Sequence, residues 1–490
     1  MKPLSFGKSP SSAIMLAIAL FFFLKYAAYG LFVTPLWNIP DEIGHYSYVE
    51  EVAEGHLPLL GKSTIAIDVT RSQGRSNTKP VSNWIAQHPP LYYAFSAPIL
   101  VATRAAGLGF EFQVRSVRLV SALFGALAVL GAMYLVLEVT GNAALALACG
   151  IFVGCTPTFL LQASGVSHDT LVACLAFWAT VFCVRWTDTT DIRYALWCAT
   201  LIGLGLITKV TVLAMALPLF FSMVYLIWRK QTRSSWVTVK QAALLWTCMF
   251  LPICIWMSRN LMLLHQPLPL ATEAHSKLPI GFFEYMHVQP FWQETLINYF
   301  GLFVDAGGKI HRSPTAIQAS GPALSWFLIS LCFCSTYALL SALRRQQGGH
   351  WAIAAFSATA AILAALTMGR SQLAAVDCFF LFASLVSMLC VHLPSALRGE
   401  PRSWLLAAGS ASTLLFSLVL YEHVRADYYG ELRAAQGRYF YPALPFLVIA
   451  LAWPLRGQRL AKLTLYGSLL AMLLCDYFYL HHVLKFYDQL

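Results

Sequence analysis

Charge is what this chain has least of. Only 11% of its 490 residues are Asp, Glu, Lys or Arg, against 58% that are hydrophobic. That balance, with a mean hydropathy of +0.64, excludes a soluble globular enzyme. Cysteine is present twelve times, but no pair has C-x-x-C spacing, so neither a zinc site nor a disulfide framework is indicated. Cys149, Cys174, Cys248 and Cys390 lie inside apolar segments and read as small packing residues. Short alternating segments, which would signal a barrel, are also lacking. So are a soluble tail, a low-complexity tract and an internal repeat, and residues 1–490 read as one integral membrane domain. The net charge of +11 is scattered over many short loops. It reflects membrane topology rather than a nucleic-acid surface.

What the chain does have is apolar runs of 18 residues or more from end to end, the mark of a polytopic all-α membrane bundle. Hydropathy places about 13 spans, near 13–33, 117–138, 143–163, 169–186, 193–208, 210–228, 241–258, 322–343, 350–368, 372–391, 404–421, 439–455 and 463–481. Residues 13–33 follow Lys2 and Lys8 as a signal peptide would, but the apolar stretch is long and reads as a retained first helix. The segment 90–106 decides the topology. If it lies in the interface, Arg229-Lys230-Arg233, Arg344-Arg345, Arg398-Arg402 and Arg456-Arg459-Lys462 all fall in the cytoplasm; if it spans, all fall outside. The first reading obeys the positive-inside rule and puts the N-terminus in the cytoplasm. Two large loops then face outward, 34–116 and 259–321, the second expected to cover the site. Ile43, Tyr46, Val49 and Val52 recur every third residue and suggest a short helix lying on the membrane.

A charge at the bilayer centre costs ~2.5–3.5 kcal/mol, so ionisable residues in such a chain need a reason. On this topology Asp41, Glu42, His45, His88, Asp169, Lys209, Arg259 and Arg438 gather on the outer face, with Tyr439 beside the last of them. Carboxylates among several cations at headgroup level suit a substrate with a phosphate and a reactive hydroxyl. Each residue also has a plainer reading. Asp41 and Asp169 could cap the helices that follow them. Lys209 could snorkel from a turn, Arg438 could anchor at the interface, and His45 and His88 could be ordinary hydrogen-bonded side chains. Lys25 lies within a span with no partner that the sequence identifies.

Four stretches carry a resemblance: Pro40-Asp41-Glu42 with His45, His88-Pro89-Pro90-Leu91-Tyr92-Tyr93, Ser167-His168-Asp169, and Gly437-Arg438-Tyr439 with Pro442. In this order they resemble a bacterial membrane-protein family of unassigned function grouped with the C-type glycosyltransferases. Those multispan enzymes use sugars carried on polyprenyl phosphate, and include protein O-mannosyltransferases and the aminoarabinose transferase of lipid A. The resemblance implies a bacterial inner-membrane enzyme with its site facing the periplasm, a juxtamembrane helix at 90–106, and Lys209 approaching the lipid phosphate. Its expected partners are a polyprenyl-phosphate sugar donor and an envelope glycan, lipid or protein acceptor.

The chemistry suits the residue types. A polyprenyl phosphate leaves without a general acid, so one carboxylate base and cations to hold the departing phosphate suffice for an inverting hexosyl or pentosyl transfer. Asp41 is expected to be the base or the carboxylate that orients the acceptor, Glu42 and Asp169 its supports, and Lys209, Arg259 and Arg438 the phosphate ligands. Carboxylates near phosphate often hold a divalent metal, but no ligand spacing supports one, and no cofactor is indicated. A transporter or flippase of lipid-linked sugars would place its charges at midplane, often in repeated halves. An O-antigen polymerase or ligase would place its key residues in a late loop.

Overall fold

In the computed structural model, the structure describes residues 10–74, 80–230, 235–269, 280–282, 284–285, 303–304, 310–311, 372–426 and 437–487. These are almost wholly helical; Phe303–Val304 and Ile310–His311 pair as two short antiparallel strands. The expected spans 322–343 and 350–368 and most of the 259–321 loop lie outside the described residues.

Helix α1 (Pro10–Ala28) ends in a π turn, Tyr29–Val33. The outer segment then builds α2 (Glu42–Ala53), α3 (Ile67–Ser72), a 3-10 turn at Trp84–Gln87 and α4 (Leu91–Ala105). The long α5 (Phe110–Thr140) stops at Gly141, whose φ of 67° gives the left-handed termination that glycine favours. Next come α6 (Ala143–Cys155), α7 (Pro157–Ala163), α8 (Asp169–Thr189), α9 (Ile192–Leu206), α10 (Leu213–Lys230) and α11 (Ser235–Leu264). After the undescribed stretch follow α12 (Gln372–Leu397), α13 (Pro401–Ala426), α14 (Leu444–Ala452) and α15 (Gln458–Tyr487).

Among the described residues, six helices are long and apolar enough to cross a membrane. A seventh span results if α6 and α7 are joined, but the chain bends there by 69°. Pro157, at the first position of α7, cannot supply the backbone N–H that a continuous helix would need. The expected span 439–455 is likewise helical but in pieces: a 3-10 turn at Gly437–Ala443, then α14, then Trp453–Leu455. Helix α4 has 15 residues. That is about 22 Å, short of a hydrocarbon core of about 30 Å. It buries Tyr92, Tyr93, Ser96, Ala97 and Leu100 and exposes Phe95, Ile99 and Val101, as a helix lying along a surface does.

Helix α5 is the hub, packing against α1, α4, α6 and α8. Helix α2 forms where its periodicity predicts, and its apolar face is turned onto the protein. Tyr46 and Val49 are fully buried in the apolar cluster that α2 shares with α4 and α5. Gly44 permits this seating, since a Cβ there would come within 2.6 Å of Ile85 Cγ1. Asn83 locks the contact by donating to Gly44 O at 3.1 Å.

Two ion pairs, the first fully buried and the second partly, tie distant parts together. Glu42 faces Arg118 of α5, with Nε to Oε1 and Nη2 to Oε2 both at 2.8 Å. The same guanidinium donates to the carbonyls of Gly30, Thr34 and Pro35, fixing the path from α1 into the outer segment. Lys25 of α1, solitary by sequence, donates to Asp476 of α15 at 2.8 Å.

Candidate active site

Four charged side chains from separate parts of the chain form a row. Asp41 precedes α2, Asp169 opens α8, Lys209 lies between α9 and the 3-10 turn Val210–Val212, and Arg438 opens the turn before α14. Arg438 Nη2 donates to Asp41 Oδ2, while its Nη1 lies 3.4 Å from Asp169 Oδ2. Lys209 Nζ donates to Asp169 Oδ1 at 2.6 Å. Arg438 thus bridges the two carboxylates and Lys209 closes the row. The side chains of Asp169, Lys209 and Arg438 are 0%, 5% and 4% exposed and that of Asp41 is 31% exposed, so Asp41 is the open end of the row. Tyr439 forms an aromatic floor, its ring 5.0 Å from Lys209 Nζ.

The capping alternative for Asp41 fails. Its backbone is left-handed, at φ 65° and ψ 8°, and its side chain makes no capping hydrogen bond. A non-glycine residue in that region costs of order 1–3 kcal/mol, and such strain clusters at functional sites. The carboxylate turns instead to Arg438 and to Trp84, whose Nε1 donates at 3.0 Å. Burial pushes the Asp41 carboxyl up, but Arg438 and the Trp84 hydrogen bond outweigh it and hold the pKa at about 2. Asp169 is no cap either: the position before α8 is His168, and the Asp169 carboxylate faces the two cations.

Beside this row stand three imidazoles. His45 and His168 have ring centroids 4.7 Å apart, and His168 and His88 4.6 Å apart. His45 Nδ1 shares a hydrogen bond with the Tyr93 hydroxyl at 2.9 Å. Tyr93 stacks on Tyr48 at 3.6 Å, and the Tyr48 hydroxyl donates to His88 O at 3.1 Å. Burial lowers His45 to about 4 and His88 to about 3, and with Lys209 nearby it brings His168 well below the ordinary histidine range. All three imidazoles are neutral at pH 7.

Two candidates do not join the site. Glu42 follows Asp41 in sequence, but it is already inside α2 and points the other way. Besides Arg118, it accepts from the backbone N–H of Trp37 and of Val166, each at 3.0 Å, and its side chain is fully buried. It braces the scaffold rather than assisting Asp41. Arg259 donates to the carbonyls of Leu57 and Pro58, each at 3.0 Å, and lies over the Trp256 ring. It pins the outer segment instead of joining Lys209 and Arg438. Sequence reasoning missed His168, Trp84 and Tyr93. His168 carried a signal, standing between Ser167 and Asp169 in a motif already noted.

Among the described residues, no three His, Cys, Asp or Glu side chains are grouped to hold a metal ion. Any ion at Asp41 or Asp169 would have to compete with Arg438 and Lys209.

Residues 88–256 match the model of the dolichyl-phosphate-mannose-protein mannosyltransferase family. The match begins at His88 and takes in Asp169 and Lys209, and it agrees with the resemblance read from the motifs. No curated protein matches the chain. Among solved structures, it is similar to ArnT from Cupriavidus metallidurans in the apo state, at 14% identity and a TM-score of 0.38 over 90% of this chain and 76% of that one. For the same protein bound to undecaprenyl phosphate the figures are 15%, 0.36, 93% and 77%.

Proposed function

We propose that this chain is a membrane glycosyltransferase that moves a sugar from a polyprenyl-phosphate donor to a hydroxyl of an envelope glycan, lipid or protein. The site faces the non-cytoplasmic side of a bacterial inner membrane, and the N-terminus is cytoplasmic. The observation that carries this reading is the bridge of Arg438 between Asp41 and Asp169, with Lys209 on the second carboxylate. The family match over residues 88–256 supports the donor class.

In this reading the donor phosphate shares Lys209 and Arg438 with the carboxylates. The acceptor hydroxyl approaches Asp41, the exposed end of the row. The bond from the anomeric carbon to the phosphate oxygen breaks as a bond to the acceptor oxygen forms on the opposite face, with inversion. The hydroxyl proton passes to Asp41, and polyprenyl phosphate leaves as an anion that needs no acid. As the phosphate draws Arg438 toward itself, the Asp41 carboxylate loses the contact that depresses its pKa and becomes a better base. Glu42 and Arg259, placed as described, take no part.

The test uses the purified full-length protein in lipid nanodiscs with radiolabelled polyprenyl-phosphate mannose, glucose and aminoarabinose, and with an envelope extract as acceptor source. Release of polyprenyl phosphate coupled to labelled product supports the reading. Passage of intact lipid-linked sugar across a vesicle bilayer, without cleavage, would make the protein a flippase instead.

A further inference from the structure

Resting on the reading just given, we infer that His45, His88 and His168 form the pocket for the donor's sugar, a patch of neutral donors and acceptors that takes sugar hydroxyls while Lys209 and Arg438 take the phosphate. His168 is 2% exposed, and neither of its ring nitrogens has a hydrogen-bond partner among the described residues. His45 is fully buried and its Nε2 is likewise unpartnered. Buried polar atoms are almost always paired, and two adjacent imidazoles left unpaired by the described residues have room for a partner from outside them.

Geometry narrows that partner's chemistry. His168 Nε2 lies 3.7 Å from Asp169 Oδ1, and Asp169 holds Lys209, so the patch is continuous with the charged row. The His88 ring lies beside that of His168 at 4.6 Å, so both rings lie close to Asp169 and the Lys209 it holds, next to the proposed phosphate site. What is covalently attached to that phosphate is the sugar. Each neutral imidazole offers one donor and one acceptor, the complement of a hydroxyl, whereas a phosphate would need the cations. His88, the least buried of the three, sits at the rim. The Tyr93 hydroxyl engages His45 Nδ1 and leaves Nε2 as the free edge of that ring.

The experiment measures binding of two probes to the full-length protein in nanodiscs: undecaprenyl phosphate alone, and undecaprenyl phosphate bearing mannose, glucose or aminoarabinose. His168→Phe should weaken the preferred sugar-bearing lipid roughly tenfold or more, as expected for losing two hydrogen bonds, and change bare undecaprenyl phosphate by less than about twofold. His168→Gln, which keeps a donor and an acceptor, should recover much of the loss. Lys209→Ala should weaken both probes. Because the His168 nitrogens have no hydrogen-bond partner among the described residues, His168→Phe should also leave the melting temperature unchanged or raise it.

A wild-type protein that binds bare lipid as tightly as every sugar-bearing lipid overturns the patch. So does a His168→Phe variant that loses both probes equally, or one that melts well below wild type. If His168→Phe spares donor binding but raises the KM for the acceptor, the patch serves the acceptor and the inference fails. If the wild type binds neither probe, the proposed function fails instead.

Discussion

Arg118 and Glu42 make a two-point ion pair, both contacts at 2.8 Å, in a place where neither side chain is more than 1% exposed. Two backbone N–H groups use the remaining acceptor sites on Glu42, and three carbonyls take the other donors of Arg118. The pair therefore joins the end of α1, the start of α2, α5 and the approach to α8. The site hangs from that joint.

Removing one partner of a buried pair typically costs ~3–5 kcal/mol, because the other is stranded. Glu42→Ala and Arg118→Ala should each lower the yield and melting temperature of detergent-solubilised protein. Any molecules that do fold should still bind lipid phosphate. A Glu42→Ala protein of normal stability that has lost only transfer would return Glu42 to the catalytic group.

Asp41→Asn keeps the size and the Trp84 contact but removes the charge and the base. Transfer should fall at least a hundredfold while abundance stays near wild type. Near-normal transfer by this variant would remove Asp41 from the role of base.

Lys209→Ala should raise the need for donor and slow transfer, by about ten- to a hundredfold for a charge-assisted contact worth ~1.5–3 kcal/mol. Arg259→Ala, which loses contacts to two loop carbonyls, Asn260 and the Trp256 ring but none to the charged row, should stay within a few-fold. Equal effects, read as KM for the donor, would mean that Arg259 shares the phosphate after all.

The imidazoles make stability sensitive to acid. An unfolded chain protonates His45 near pH 6.5, whereas the folded protein resists until about 4. The unfolded state therefore binds more protons between those values, and stability falls as pH drops through that window, by up to about 1.4 kcal/mol per pH unit for this group. Thermal melts from pH 7 to 5 should show the decline, and His45→Phe should flatten it. A slope unchanged by that substitution would show that His45 is not held neutral.

The exposed Lys62 and Arg398 test the orientation. Lys62→Cys should react with an impermeant thiol reagent added to whole cells whose outer membrane is permeabilised, and Arg398→Cys should not. Labelling of both from outside would move the Arg398 loop out of the cytoplasm and mean that the segment 90–106 spans after all.

Asp41, Asp169, Lys209 and Arg438 were legible in the sequence because each is a charge where the bilayer makes charge costly. The apolar period revealed α2 and the long helices for the same reason that it drives them to form. Adjacency misled in the case of Glu42: the left-handed backbone at Asp41 throws the two neighbouring side chains apart, and periodicity carries no record of φ. Arg259 has the right type of charge on the right loop, and only the packing of Leu57 and Pro58 shows where it points. His168 stood in a motif but received no role, because its significance lies in two nitrogens without a partner among the described residues, a property of the packed site and not of the residue. The break at Pro157 was written in the sequence, but hydropathy averages across it.

Lys25 and Asp476 stand 451 positions apart. During synthesis the first span therefore enters the bilayer long before its counter-ion exists, and Lys25 must be sheltered by the insertion machinery or by lipid headgroups until α15 arrives. Asp41 waits in the same way for Arg438, which follows 397 residues later. The bundle is thus closed from its far end, and a chain that stops before that point keeps Lys25 and Asp41 without these partners.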